Sequence, residues 1–486
     1  MNYRMVSYLI GQLMRVEGLL MILPLLCAVI YQENMIYTAF IIPIVILVAL
    51  GSVLTFRMPQ KREIYAKEGF IVVGLSWVML SVFGALPFML SGTIPHFCDA
   101  VFETASGLTT TGASILTGVE TLPKGILFWR SFTHWIGGMG VLVFTLAVLP
   151  KSNDRSLRLM HVMRAEVPGP VVGKLVSRIK STARILYGIY IALTLVEILL
   201  LWAVKMPLFD AICNTFGTAG TGGFGIWNDS IAHYHSAYVD GVVSVFMLLF
   251  SINFNVYYLI LVGQIRPALK NSEVRWYLSI IALATAAIMY DLRHVYAGVL
   301  HSFRYAFFQV MTVISTTGFS TTDYNQWPIL SRTILATLMF VGACVGSTGG
   351  GLKVGRLMLL VKTFVREVRY MLHPRSVRVI RTEGKRVDEE TIRGTASYFI
   401  AYMCVFTLSV LLLAVFDEFD LVTNFTAVAS CLNNIGPGLG NIVGPSGNFS
   451  LFTDASKVLL TFDMLAGRLE LFPMLMLFSP TAWKNH

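Results

Sequence analysis

The sequence predicts an all-α polytopic membrane protein, with two leading transmembrane helices followed by four span–re-entrant-loop–span units around one pseudo-fourfold axis. Three observations predict this class: apolar runs of membrane-spanning length, basic residues gathered into alternate connecting segments, and a motif that occurs four times. The chain has 486 residues, of which 55% are hydrophobic and 13% charged, and its mean hydropathy is +0.69. Those proportions exclude an ordinary soluble domain.

The spans come first. A helix needs about 20 apolar residues to cross a hydrocarbon core. Uncharged runs of that order occupy 35–56, 69–95, 241–265 and 394–416. Less clean candidates lie at 18–33, 125–150, 185–204, 274–290, 333–352 and 456–478, and several carry one polar residue such as Glu197, Arg130 or Asp463. Together these give about ten spans. The first apolar run follows Arg4 and Arg15 without a small-residue cleavage site, so it reads as a retained helix.

Charge orients the spans. The net charge is +10, and segments 57–67, 151–184, 266–275 and 353–393 hold 26 of the 37 Lys and Arg. The positive-inside bias makes these segments and the amino terminus cytoplasmic. The opposite segments carry Asp99, Asp229, Asp417, Glu418 and Asp420. Basic charge is therefore explained by topology, and no nucleic-acid partner is implied. Cysteines 27, 98, 213, 344, 404 and 431 are dispersed without a CxxC pair; they read as buried free thiols, neither a disulfide frame nor a metal site. His233 and His235, on an outer segment, lack further ligands in spacing.

The repeat defines the units. Residues 99–114 read DAVFETASGLTTTGAS, 210–225 DAICNTFGTAGTGGFG, 305–320 YAFFQVMTVISTTGFS and 423–438 TNFTAVASCLNNIGPG. The fourteenth position is glycine in every copy (Gly112, Gly223, Gly318, Gly436), and the twelfth is Thr110, Thr221, Thr316 or Asn434. The mostly apolar first half suits a half-helix of about eight to ten residues, too short to span, and the small polar second half has little helix propensity. Asp99 and Asp210 are the expected caps, and Glu103 and Asn214, both at the fifth position, are expected to brace the loops, the alternative being that they draw cations inward. Each copy lies between longer apolar runs and enters from the outer face. The units are thus 1–60 for the leading pair, then 61–165, 166–268, 269–392 and 393–486.

Irregular backbone cannot face lipid, where each unpaired amide or carbonyl costs several kcal/mol. Four such loops are tolerated when they converge on a shared aqueous path. Glycine opens backbone angles closed to other residues, and rings of carbonyl oxygens replace the water shell of an alkali cation. The half-helix carboxyl ends, partially negative, favour a cation nearby.

At these motifs the sequence resembles the Trk/Ktr/HKT superfamily, specifically the bacterial Trk/Ktr-type potassium-uptake membrane subunit. The resemblance covers essentially the whole chain, through TTTGAS, GTGGFG, STTGFSTTD and NNIGPGLG. It implies a potassium-channel-like pore whose backbone carbonyls bind K⁺, the transported ion. By position the filter is Thr110, Thr111 and Gly112; Thr221, Gly222 and Gly223; Thr316, Thr317 and Gly318; and Asn434, Ile435 and Gly436. Four filter glycines imply potassium preference, since family members with serine there tend to conduct sodium. The resemblance further implies a bacterial inner-membrane location, a homodimer, and a cytoplasmic nucleotide-binding regulatory ring. No organic cofactor is implied.

A second polar break, GACVGSTGGGLKVGR, occupies Gly342 to Arg356. Glycines there cost a helix about 1 kcal/mol each against alanine, so the span should break below the filter. Gly346, Ser347, Thr348, Gly349, Gly350, Gly351 and Lys353 are the candidate gate, a reading with which the family's intramembrane loop agrees. A kink for close helix packing is the alternative. It is not a phosphate loop, because Gly351 is followed by Leu352 and no strand precedes it. Arg468 in the last span is an expensive intramembrane charge; it either lines the path near this loop or pairs with Asp463 or Glu470. The basic tail after the third unit reads equally as membrane-lipid contact or, by the resemblance, as the docking face for the regulatory ring.

Two transport readings follow. One is gated permeation of K⁺; the other is symport with H⁺ or Na⁺, which needs an ionisable group in the path, with Glu103, Glu197 and Asp463 as candidates. An enzyme is not expected, because Ser347 with Lys353 is the nearest approach to a catalytic constellation.

Overall fold

The leading pair is an antiparallel hairpin: Tyr3–Leu20 and Ile22–Ile30 lie against Asn34–Thr55. A Cβ on Gly51 would stand 2.6 Å from the Gly11 carbonyl, so glycine is what lets the two backbones touch. This is the close-approach device of membrane helices. It also corrects the first span, which begins at Tyr3 and not at residue 18. Of its polar residues Glu17 is buried, whereas Arg15 is exposed and reaches the Thr55 hydroxyl, to which it donates at 3.4 Å.

The computed structural model describes residues 1–57, 59, 65–140, 179–375 and 378–483. Most of the basic segments 57–67 and 151–184, and the end of the predicted span 125–150, lie outside the described residues. Among the described residues six helices are long and apolar enough to cross a membrane, with a seventh if Ala237–Ser251 and Phe254–Leu261, bent by 88°, count as one span. Part of the shortfall from ten lies in residues outside the described ones, after Gly140, and part in second spans that are broken. The helix Lys124–Gly138 is capped by Met139 and followed by Gly140 at φ +78°, where the described residues stop. Ile329–Leu338 gives way to an irregular loop before Val354–Leu372. Asp454–Arg468 and Phe472–Leu477 are separated by Leu469, Glu470 and Leu471, the last two at positive φ.

Four half-helices lie inside this frame: Phe97–Leu108, Leu208–Gly220, Val299–Ile314 and Leu421–Asn433. They have 12, 13, 16 and 13 residues, longer than the expected eight to ten, because each begins before its repeat does. At about 1.5 Å per residue they still fall short of a ~30 Å hydrocarbon core. From Phe102 onward the first is buried throughout, and the other three are buried over their carboxyl halves apart from Phe216 and Phe307. The most apolar stretches of Glu389–Phe416 and Asn34–Thr55, by contrast, are only 22% and 33% buried. Half-helices are therefore core, and the long helices present their apolar flanks to lipid. Beyond Val354–Leu372 a two-stranded antiparallel hairpin, Arg381–Thr382 with Lys385–Arg386, carries the basic tail.

The expected aspartate caps are corrected. His96 and Pro207 hold the cap positions without side-chain bonds, while Asp99 and Asp210 sit in the first turn. Asp99 is taken by Lys457 at 2.6 Å, and Asp210 by Tyr234 at 3.0 Å and Trp227 at 3.3 Å. Tertiary partners outcompete the local bond. Not every thiol is buried either: Cys404 is exposed and Cys98 partly so.

Candidate functional site

Each half-helix ends in the same way. The amides of Thr111, Gly222, Thr317 and Ile435 donate to the carbonyls of Ser106, Gly217, Thr312 and Ser430, at 2.8, 2.9, 2.9 and 3.0 Å. The preceding residues Thr110, Thr221, Thr316 and Asn434 have φ between +55° and +60°. This is a Schellman ending with threonine or asparagine where glycine is usual. A left-handed β-branched residue costs about 1–2 kcal/mol and persists only where its surroundings hold it.

Those surroundings are visible. The Thr316 hydroxyl accepts the Gly350 amide at 2.7 Å, and the Thr110 hydroxyl accepts Arg468 at 3.2 Å. Asn434 donates to the Thr111 hydroxyl at 3.0 Å and to the Met464 carbonyl at 2.9 Å. Three of the four strained side chains thus hook neighbouring elements, while the Thr221 hydroxyl donates to the Gly220 carbonyl at 2.6 Å.

The glycine two residues on closes a ring. An added Cβ on Gly112 would stand 1.9 Å from the Gly222 carbonyl oxygen, on Gly223 2.0 Å from that of Thr317, on Gly318 2.1 Å from that of Ile435, and on Gly436 2.8 Å from that of Thr111. Each copy thus seats its glycine against the thirteenth-position carbonyl of the next, and the fourth returns to the first. All twelve residues expected in the filter are gathered here. The four glycines also line one cavity of about 230 Å³, together with the residues that follow them in each copy.

Every junction in the ring is fastened. Arg130 donates to the Gly225 carbonyl at 2.8 Å, joining copies one and two, and the Ala232 amide to the Ser320 carbonyl at 3.2 Å, joining two and three. Tyr324 donates to the Gly438 carbonyl at 3.0 Å and the Phe449 amide to the Ser114 carbonyl at 2.8 Å, which completes the circuit. Glu103 braces as expected: it accepts from Arg130 at 2.7 Å, Ile115 at 2.9 Å and Ser114 at 3.0 Å. Asn214 donates to Tyr234 at 2.9 Å.

The glycine-rich loop lies on the other side of the ring. A Cβ on Gly349 would meet the Ser315 carbonyl at 2.9 Å, and one on Gly350 the Asn433 carbonyl at 2.7 Å. Gly346, Ser347, Thr348, Gly351 and Lys353 belong to the same irregular segment, with the Lys353 amine bonded to the Gly349 carbonyl and Ser347 to that of Cys344. Arg468 grips Thr348, Gly138 and Gly137 through their carbonyls, the first two at 2.7 and 2.9 Å. It therefore joins loop, filter and the carboxyl end of Lys124–Gly138. Neither expected partner is used, and Glu470 pairs with Arg356 instead.

Sequence reasoning missed several holding residues. Glu273 accepts the Val345 and Gly355 amides at 2.8 and 2.9 Å, tying both ends of the loop with one oxygen. The Phe250–Phe254 break holds the loop's middle: the Thr348 hydroxyl donates to the Phe250 carbonyl at 3.1 Å, and the Phe254 amide to that of Gly346 at 3.0 Å. His134 bridges two copies. Its Nε2 accepts the Phe224 amide at 3.1 Å, so Nδ1 carries the proton and donates to the Gly107 carbonyl at 2.7 Å. Gln309, at the fifth position of copy three, donates to Thr321 at 3.4 Å; its shared position with Glu103 and Asn214 was the available signal.

The acids that symport would need do not line the cavity. Glu103 is held by Arg130, Asp463 accepts from Ser409 at 2.8 Å, and Glu197 is buried within Ile179–Ala203.

The chain is similar to known transport proteins over its whole length. A family model described as TrkH, cation transport protein, matches residues 36–485. The chain is 36% identical over 494 residues to the Trk system potassium uptake protein TrkH of Salmonella typhimurium, covering all of both chains. It is 32% identical over 488 residues to TrkG of Escherichia coli K12, covering 100% of this chain and 99% of the other. The crystal structure of the potassium transporter TrkH from Vibrio parahaemolyticus superposes with a TM-score of 0.90 at 33% identity, each chain covered fully.

Proposed function

This chain belongs to the TrkH cation transport family, and from that membership we propose that it takes up potassium across the bacterial inner membrane through a gated, selective, pseudo-fourfold pore. The observation that carries the reading is the closed ring, in which each filter glycine abuts the next copy's carbonyl.

In this account the carbonyls of Thr110–Gly112, Thr221–Gly223, Thr316–Gly318 and Asn434–Gly436 replace the hydration shell of K⁺. The absence of side chains at the four glycines leaves the axis to oxygen alone. The outer cavity receives the hydrated ion. Below the ring the segment Gly346–Lys353 obstructs the path, and Arg468 both holds it there and repels cations. Opening requires the loop to leave the carbonyls of Ser315 and Asn433. Inward movement is driven by membrane voltage, worth about 2.3 kcal/mol per charge per 100 mV. With the amino terminus cytoplasmic, the basic face of Val354–Leu372 and its hairpin docks a regulatory ring, and two copies of the chain pair as a homodimer.

Growth of a potassium-uptake-deficient bacterium at low K⁺ tests the reading. The intact chain should restore growth and Gly112→Ser or Gly318→Ser should not. Currents in reconstituted membranes should reverse at the K⁺ equilibrium potential whatever the pH or Na⁺ gradient. Failure of the intact chain to rescue, or a reversal potential that tracks pH, would overturn it.

A further inference from the structure

The outer ends of two helices bring three ligating side chains together. His96 precedes the first half-helix in extended conformation and Cys98 lies in its first turn, while Asp454 opens the helix Asp454–Arg468. One ligand atom from each of the three falls within 4.8 Å of the others. His96 Nε2 is 3.7 Å from Asp454 Oδ2. Zinc bonds of about 2.0–2.3 Å in a tetrahedron set nitrogen, oxygen and sulfur ligands about 3.3–3.6 Å apart. Small side-chain rotations therefore suffice to close the set around one ion.

The chemistry is matched as well as the spacing. A thiolate and a carboxylate neutralise a divalent cation, the neutral imidazole completes three protein ligands, and a fourth position stays open to water. Asp99 supplies the outer carboxylate: its Oδ2 stands 3.9 Å from His96 Nδ1, the ring nitrogen that Asp454 does not approach. Lys457 fixes that carboxylate at 2.6 Å. Such carboxylate–histidine pairs orient metal ligands. The side chains of His96 and Asp454 are 56% and 57% exposed, so an ion reaches them without unfolding.

We propose that His96, Cys98 and Asp454 form a Zn²⁺ site on the outer face, and that filling it slows permeation. The second clause follows from what the ion would join. One partner is the half-helix ending at the first filter loop. The other is the helix whose last residue, Arg468, bonds Thr110 and the Thr348 carbonyl. Clamping their outer ends restrains the pair of elements that meets at filter and gate. The flux part rests on the uptake reading; the binding part does not.

The full chain in lipid nanodiscs should be dialysed against Zn²⁺, and separately against Cd²⁺ and Co²⁺. The expected result is one Zn²⁺ per chain, a thiolate-to-metal charge-transfer band with Cd²⁺, and four-coordinate ligand-field bands with Co²⁺. Cys98→Ser, His96→Ala and Asp454→Asn should each weaken Zn²⁺ at least about tenfold, whereas Cys404→Ser should not. Rescue of growth by these variants without added metal establishes that they fold. Zn²⁺ binding that survives Cys98→Ser, or no binding by the intact chain, overturns the site. In proteoliposomes external Zn²⁺ should slow rubidium uptake by the intact chain and not by Cys98→Ser. Binding at full stoichiometry with unchanged flux overturns the coupling to permeation. If the intact chain carries no rubidium even without zinc, the uptake reading fails and the binding result stands alone.

Discussion

Replacing the four filter glycines one at a time with alanine should give three severe defects and one mild one. All four have positive φ, from +73° to +103°, so each alanine carries a left-handed strain of about 1–2 kcal/mol. That part is common. The contact part is not. To restore ordinary separation near 3.4 Å, the Gly222 carbonyl must retreat about 1.5 Å from an alanine at 112, and the carbonyls facing positions 223 and 318 nearly as far. The Thr111 carbonyl facing position 436 need retreat only about 0.6 Å. A carbonyl displaced by more than an ångström no longer contributes to a ring that replaces hydration. Rubidium uptake, normalised to protein in the membrane, should fall more than about tenfold for Gly112→Ala, Gly223→Ala and Gly318→Ala, the equivalent of 1.4 kcal/mol or more. Gly436→Ala should retain most of its rate. Equal damage at all four positions, or tolerance at 112 and 223, would refute the argument that neighbouring carbonyls set the filter.

The remaining expectations concern the loop. Thr316→Val keeps the backbone strain and shape but removes the acceptor for Gly350; the lost bond, about 0.5–1.5 kcal/mol, should raise basal flux by about two- to tenfold in liposomes. Arg468→Ala should raise basal flux further, because it frees Thr348 and Thr110 together, and Arg468→Lys should not restore control, since one ammonium cannot reproduce the planar fork. Unchanged flux in Arg468→Ala would remove it from the gate. Glu273→Gln exchanges charge-assisted bonds for neutral ones, so thermal stability should fall by about 1–2 kcal/mol, with a larger fall in Glu273→Ala, read from melting in detergent.

The ring was legible in sequence because its requirement is on the backbone. Only glycine sits easily at φ +83° against a carbonyl, so Gly112 and its three counterparts leave a mark in the sequence. The broken third-unit span was legible for the same reason. What holds these parts was not. Glu273 acts on Val345 across 72 residues, and Lys457 takes Asp99 across 358; no local pattern announces either. Asp99 looked like a cap because caps are the local use of such a residue, yet a cation from another unit was the stronger partner. Hydropathy overcounted clean spans because it registers apolar length and not the 88° turn at Ile252. It undercounted the first helix because Arg15 and Glu17 lower its hydropathy, although Glu17 is buried in the fold and Arg15 reaches across to Thr55.

The most direct test of the central claim is anomalous diffraction from crystals of the protein grown with rubidium or thallium in place of potassium. The account predicts a peak on the axis between the carbonyls of Thr111, Gly222, Thr317 and Ile435. Ions found only elsewhere, with the four loops splayed and no tunnel between them, would contradict it.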